Sequence, residues 1–208
     1  PSGNFGNVYS ANVAKKMGLP IQKLHITTNQ NDILHSSINK GLMNKNIVTQ
    51  TYSPSMDIQI SSNFERQLFE SANRNSEKIR DMFQEFSDNG SYTIEKDILD
   101  DLQSIYSTTA VNDEKTLSTI KLINDKFDYM ADPHTATGLS VLLNNDKNET
   151  WVSLACAHPA KFGNAIEKAI GKSAVLPKEL SKLFDKEEKM TILDNNKENL
   201  KSLILSTL

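Results

Sequence analysis

Apolar residues recur along this chain with two different periods, and each period names the element that could carry it. Val8, Ala11, Ala14 and Met17 fall at helical spacing and Gly18 with Pro20 closes the run, so a short helix is expected. Over residues 21–28 Leu24 and Ile26 share one side among β-branched neighbours, the pattern of a strand. Asn31 and Asp32 stand where N-caps stand, ahead of a helix that Gly41 ends. A second strand-like run, Ile47 to Tyr52, leads into S-P-S-M-D, where proline and serine interrupt regular structure. Helix alternating with strand is the rhythm of an α/β layered domain.

From residue 62 the helical period takes over. Ser62 and Glu65 have the spacing of a capping box before Phe64, Leu68, Phe69 and Ala72. Ile79, Met82, Phe83 and Phe86 occupy one face at i, i+3, i+4 and i+7. After the turn at Asn89-Gly90, Ile94, Ile98, Leu102 and Ile105 repeat the pattern, and Asp113 is placed to cap a helix bearing Leu117, Ile120 and Ile123. Residues 62–130 therefore predict successive helices with no strand between them, an inserted helical subdomain. Asp132-Pro133 has the chemistry of an N-cap followed by N1, with Ala136, Leu139 and Leu143 on one face beyond it. A polar turn then leads to W-V-S-L-A-C-A, residues 151–157, whose near-continuous apolar character predicts a strand buried on both sides. A helix over residues 161–170 ends at Gly171. Two more are expected, one from Pro177 with Leu180, Leu183 and Phe184, one capped by Asp194 with Leu200, Leu203 and Ile204. The division that follows is an α/β part over 1–60, a helical insert over 61–130, a return to α/β over 131–171, and C-terminal helices over 172–208.

Composition narrows the function classes. A net charge of -3 over 208 residues argues against a nucleic-acid or anionic-membrane partner. Cys156 is the only cysteine, and with four scattered histidines the spacing gives no metal set, so no disulfide and no metal are expected. No apolar run reaches the length of a membrane span and no signal-peptide pattern is present, which predicts a cytoplasmic protein. The sequons at Asn89 and Asn148 then carry no glycan.

Two stretches could carry chemistry. The chain opens P-S-G-N-F-G-N, where Gly3 and Gly6 allow close backbone approach and the next helix leaves its first N–H groups unpaired. Such a loop is either a plain turn or a cradle for an anion, most simply a phosphate. The second is L-A-C-A-H-P-A-K-F, residues 154–162, at the carboxyl end of the expected buried strand, where ligands gather in open α/β sheets. Read singly, Cys156 is a small hydrophobe, His158 a satisfied histidine at a strand end and Lys161 a surface charge.

Together with N-D-I-L at 31–34, S-P-S-M-D-I at 53–58, S-S-N-F-E-R at 61–66 and D-P-H-T-A at 132–136, these stretches occur in the order and spacing of threonine synthase. The chain resembles that family, a member of the fold type II enzymes that use pyridoxal 5'-phosphate, over nearly all of residues 1–170. The resemblance implies a three-layer α/β fold in which Gly3, Asn4, Phe5, Gly6 and Asn7 bind the cofactor phosphate. It places Cys156 opposite the pyridine nitrogen, where the family commonly has threonine. It also implies that Lys161, Arg66, His134 and Thr135 lie at the substrate.

The family reaction turns O-phospho-L-homoserine and water into L-threonine and phosphate, with the cofactor as electron sink. It needs a Schiff-base lysine from an S-F-K-D type segment ahead of the glycine loop, and no residue of this chain matches it. The resemblance therefore implies the C-terminal part of such an enzyme, dependent on a missing N-terminal half and inactive by itself. Other readings remain: a related phospho-lyase, another fold type II enzyme such as a serine or threonine dehydratase, or a phosphate-binding module without catalysis.

Overall fold

The computed structural model describes residues 1–145, 148–183 and 185–207; Asp146 and Lys147 of the expected polar turn, Phe184 and Leu208 lie outside the described residues. Residues Pro1–Ala174 form one unit and Val175–Leu208 another. In chain order the first unit contains α1 (Gly6–Lys16), β1 (Leu24–Thr28), α2 (Ile33–Lys40), β2 (Leu42–Asn44), α3 (Phe64–Ser71), α4 (Ser76–Asn89) and β3 (Ser91–Thr93). It continues with α5 (Lys96–Ile105), β4 (Tyr106–Ala110), α6 (Asp113–Phe127), α7 (Pro133–Leu142) and α8 (Gly163–Ile170).

β1 and β4 pair in parallel, Leu24 opposite Tyr106 and Thr28 opposite Ala110, and the crossover between them contains α2 to α5. β2 and β3 form a separate antiparallel pair, with Met43 opposite Tyr92. The expected strand over Ile47–Tyr52 is absent: those residues run irregularly, with Ile47 91% exposed. The run of helices over 62–130 is likewise corrected, since β3 and β4 interrupt it. β4 follows α5 without a breaker, and only its partner, some eighty residues earlier in the chain, makes it a strand.

One core cluster joins the glycine loop to the helical stretch: Phe5, Ile26, Leu34, Phe64, Leu68, Ile98, Leu102 and Tyr106 are all buried in it. The predicted faces hold, Ile79, Met82 and Phe86 being buried on α4 and Ile98 and Leu102 on α5. Gln67 crosses this core as a polar tie. Its Oε1 accepts from Asn12 Nδ2 at 2.7 Å and from Tyr106 Oη at 2.8 Å, joining α1, α3 and β4. A second, smaller core of Ile120, Ala136 and Ile166 packs α6, α7 and α8 together.

Residues 45–63 form a strap with one 3-10 turn at Pro54–Met56. Its anchor is Asp57, whose Oδ1 accepts from Asn29 Nδ2 (2.7 Å), Asn31 Nδ2 (3.0 Å) and Thr51 Oγ1 (2.7 Å). Asn31, expected as a cap, is used here instead; Asp32 holds the N-cap position of α2 without a side-chain bond. The capping box of α3 is absent for a similar reason, because Ser62 Oγ turns to Asn4 Oδ1 and Asn63 stands at the N-cap. For α6 the cap is Asn112, which accepts from Lys115 N–H, while Asp113 accepts from Tyr52 N–H.

Residues 151–157 form no helix or strand and have no strand partner among the described residues; Val152 is 80% exposed and Leu154 41%. An apolar run states that burial is favourable but not which surface provides it. In the second unit the helix expected from Pro177 is one 3-10 turn, Lys178–Leu180. The last helix, α9, spans Lys197–Thr207, and Asn196 in place of Asp194 accepts its first N–H groups from Glu198 and Asn199. No helix among the described residues is long and apolar enough to cross a membrane.

Candidate functional site

The glycine loop leaves the end of a short extended segment, where Ser2 N–H donates to Thr27 O of β1 at 2.9 Å. Phe5 then adopts a left-handed backbone, φ 63°, and its ring is fully buried against Tyr9, Phe64 and Tyr106. A non-glycine residue in this region is strained, and here the core holds it. The turn starts α1 abruptly, leaving the N–H groups of its first turn without carbonyls inside the helix. Among the described residues no acceptor meets the N–H groups of residues 3–5 either. No acidic side chain sits in the first turn of α1, so the helix dipole is uncompensated there. Phe5 thus offers a ligand its main chain and not its ring.

Neighbouring elements hold the loop on two sides. On one side lies the strap: a Cβ on Gly3 would come within 2.9 Å of Met56 Cα, and Ser61 Oγ donates to Gly3 O at 3.0 Å. Asn4 Oδ1 accepts from Ser62 Oγ (3.0 Å) and from Asn63 N–H (3.4 Å), which brings the start of α3 alongside. Arg66, one turn along α3, is exposed, and its Nε reaches Asn63 Oδ1 at 3.4 Å. It lines an open cleft of about 900 Å³ with Ser62, Asn63 and Arg80.

On the other side of the loop lies Cys156. Asn7 Nδ2 donates to Pro1 O at 3.0 Å and approaches Cys156 Sγ at 3.8 Å, joining the two sequence stretches singled out for chemistry. Cys156 is exposed and unpaired. Protein atoms packed around its thiol push its pKa up and the Asp132 carboxylate adds to the rise, so the thiol stays protonated near neutrality.

Behind Cys156 lies the N-terminus of α7, as the Asp-Pro pair predicted. Asp132 caps it, Oδ1 accepting from the N–H of His134 (2.9 Å) and of Thr135 (3.4 Å). The Thr135 hydroxyl donates to Asp132 Oδ2, which also accepts from Ala157 N–H at 3.2 Å. Thr135 Oγ1 in turn accepts from Cys156 N–H at 2.8 Å. Ser55 N–H donates to His134 Nε2 at 3.0 Å, so the ring hydrogen sits on Nδ1 and points to Asp132 Oδ1, 3.0 Å away. Asp132 is 1% exposed. Burial raises its pKa, but the hydrogen bonds from His134, Thr135 and Ala157 outweigh this and bring it below the ordinary carboxylate value.

His134 and Thr135 are both buried, with their polar atoms engaged inside the protein. Lys161 is exposed on the 3-10 turn Pro159–Phe162, and the ring of Phe162 stands 4.5 Å from that of His134, which brings this turn beside the cluster. The structure therefore gathers Gly3, Asn4, Asn7, Cys156, His134 and Thr135 through direct contacts, with Gly6 in the same loop and Arg66 and Lys161 at the margins. Sequence reasoning missed Ser55, Ser62 and Asn63 as supports. Their contacts reach across 58 to 79 residues, and no local pattern encodes them.

Residues 135–204 match the family model described as "Threonine synthase, C-terminal". The threonine synthase of Pseudomonas aeruginosa is 37% identical over 198 residues, covering 94% of this chain and 42% of the relative. That of Saccharomyces cerevisiae is 39% identical, covering 93% and 43%. Among solved structures, PLP-bound threonine synthase from Brucella melitensis aligns with a TM-score of 0.91 at 40% identity, covering 98% of this chain and 44% of that one. The chain thus spans less than half the length of the relatives it matches, and within that span it has their α/β fold. On the six ordered motifs, this shared fold and these identities, the chain belongs to the threonine synthase family.

Proposed function

We propose that residues 1–208 are part of a cytoplasmic fold type II pyridoxal-phosphate lyase that converts O-phospho-L-homoserine and water into L-threonine and phosphate. The observation that carries this reading is the reach of Asn7 from the glycine loop to Cys156, which supports a single site formed by the loop and the residue expected at the cofactor ring. The unpaired N–H groups ahead of α1 and the absence of acid in its first turn fit a phosphate. A protonated thiol at Cys156 fits a neutral ring nitrogen.

When bound, the cofactor supplies an electron sink for proton transfers at the substrate Cα and Cβ. The chain's own residues do the rest of the work assigned to this part. The amides of residues 3–7 would hold the cofactor phosphate, and Cys156 would serve its ring nitrogen. Arg66 and Lys161 draw in the substrate phosphate, whose leaving depends on charge stabilisation. His134 and Thr135 serve the substrate by fixing the segments around it. The lysine that carries the cofactor belongs to the remainder of the protein, since no position here matches it.

The test uses the intact protein, meaning this chain with the remainder that its relatives carry, supplied with pyridoxal 5'-phosphate and O-phosphohomoserine. Equal amounts of threonine and phosphate are expected, and neither from residues 1–208 alone. Threonine made by residues 1–208 alone would overturn the reading. Phosphate released without threonine would point to a phospho-lyase, and phosphate binding without cofactor absorbance to a binding module.

A further inference from the structure

The contacts around the glycine loop close into a ring. From Gly3 the ring passes to Met56, against which the loop is packed too closely for a Cβ. The neighbouring Ser55 N–H donates to His134 Nε2 at 3.0 Å, and His134 Nδ1 donates to Asp132 Oδ1 at 3.0 Å. The other carboxylate oxygen accepts from the Thr135 hydroxyl, whose oxygen holds Cys156 N–H at 2.8 Å. Asn7 then returns the ring from Cys156 Sγ to the loop. Each polar group in the buried arc has a defined donor or acceptor role, so removing one leaves a neighbour unsatisfied.

The two oxygens of one carboxylate therefore serve different segments. Oδ1 governs the strap through His134, and Oδ2 governs residues 156–157 through Thr135 and directly through Ala157 N–H. The strap supports the phosphate end of the proposed cofactor site and Cys156 its ring end. We infer that Asp132 is a positioning residue that couples the two ends of that site, so a change at one end is felt at the other; this rests on the cofactor reading above.

Thr135→Val in the intact protein keeps the shape of the side chain and removes the hydroxyl that links Asp132 to Cys156. Thr135 meets the ring end through the Cys156 main chain, so the change that tests the coupling is the one read at the loop and the strap. The variant is expected to weaken cofactor binding about tenfold, the loss of one buried hydrogen bond. It should also shift both the absorbance maximum of the bound cofactor and its phosphorus resonance. Without cofactor, amide exchange should quicken in residues 1–7 and 53–57 as well as 154–158. Thr135→Ser, which keeps the hydroxyl, should restore all three. If Asp132→Asn fails to fold, Thr135→Val, the milder change, still decides the matter. A folded Thr135→Val with wild-type spectra, or with exchange quickened only at residues 154–158, would overturn the inference. A wild-type protein that takes up no cofactor would instead overturn the cofactor reading, while the exchange pattern still judges the coupling.

Discussion

Asn7 and Cys156 lie 149 residues apart and meet at 3.8 Å, the amide of one toward the sulfur of the other. The contact is weak by itself, since sulfur is a poor acceptor. Its second bond, 3.0 Å to Pro1 O, fixes the amide where it can serve. Asn7→Ala is expected to lower cofactor affinity of the intact protein by up to about tenfold, the range of one or two modest hydrogen bonds. A fluorescence titration with pyridoxal 5'-phosphate measures this, and unchanged affinity would separate Asn7 from the site.

The two loop glycines differ in what they tolerate. A Cβ at Gly3 meets the Met56 backbone at 2.9 Å, whereas one at Gly6 meets only the Asn63 side chain at 3.5 Å, ordinary contact. Gly3→Ala should displace the strap and destabilise the intact protein by about 1–3 kcal/mol, the usual range for overpacking. Gly6→Ala should leave the melting temperature near wild type. Thermal unfolding of the two variants side by side checks the contrast.

The Asp132 carboxyl has a lowered pKa in the folded protein, so its stabilising contribution is present above its ordinary value, near 3.8, and disappears as pH falls through the lowered one. Asp132→Asn lacks this dependence. The stability gap between wild type and variant should be constant from about pH 7 to 5 and close below pH 4, where the wild-type group takes up its proton. Chemical denaturation across that range reads the gap, and one that widened on acidification would contradict the assignment.

With its thiol pKa raised, Cys156 should react slowly with iodoacetamide at pH 7 despite its exposure, because the thiolate is the nucleophile. The rate should go on rising with pH beyond the point at which a free thiol levels off, because the raised pKa delays full ionisation. Bound cofactor should protect it further. Alkylation followed by mass spectrometry, with and without pyridoxal 5'-phosphate, gives both comparisons.

The sequence disclosed best what is local. The face of α4 and the Asp132 cap of α7 were legible because the contacts that decide them lie within a few residues. The turn of the opening loop into α1 was legible for the same reason. Strands were harder: Tyr106–Ala110 continues directly from a helix, and its identity comes from Leu24–Thr28. Residues 151–157 were misjudged in the opposite direction, since an apolar run cannot say which surface will cover it. The Asp132 ring was legible only in part, its cap being local and its links to Ser55 and Cys156 long-range.

Phe5 gives the loop a further property. Its backbone faces the candidate anion site while its ring is wedged between Phe64 and Tyr106, so the two sides of one residue belong to different parts of the protein. The left-handed turn that presents the amides lasts only while that aromatic wedge is seated. Core packing at Phe64 and Tyr106 thereby sets the curvature of the loop from beneath. A repacking there, well removed from any ligand, would register first as a misshapen cradle and only later as a loss of fold.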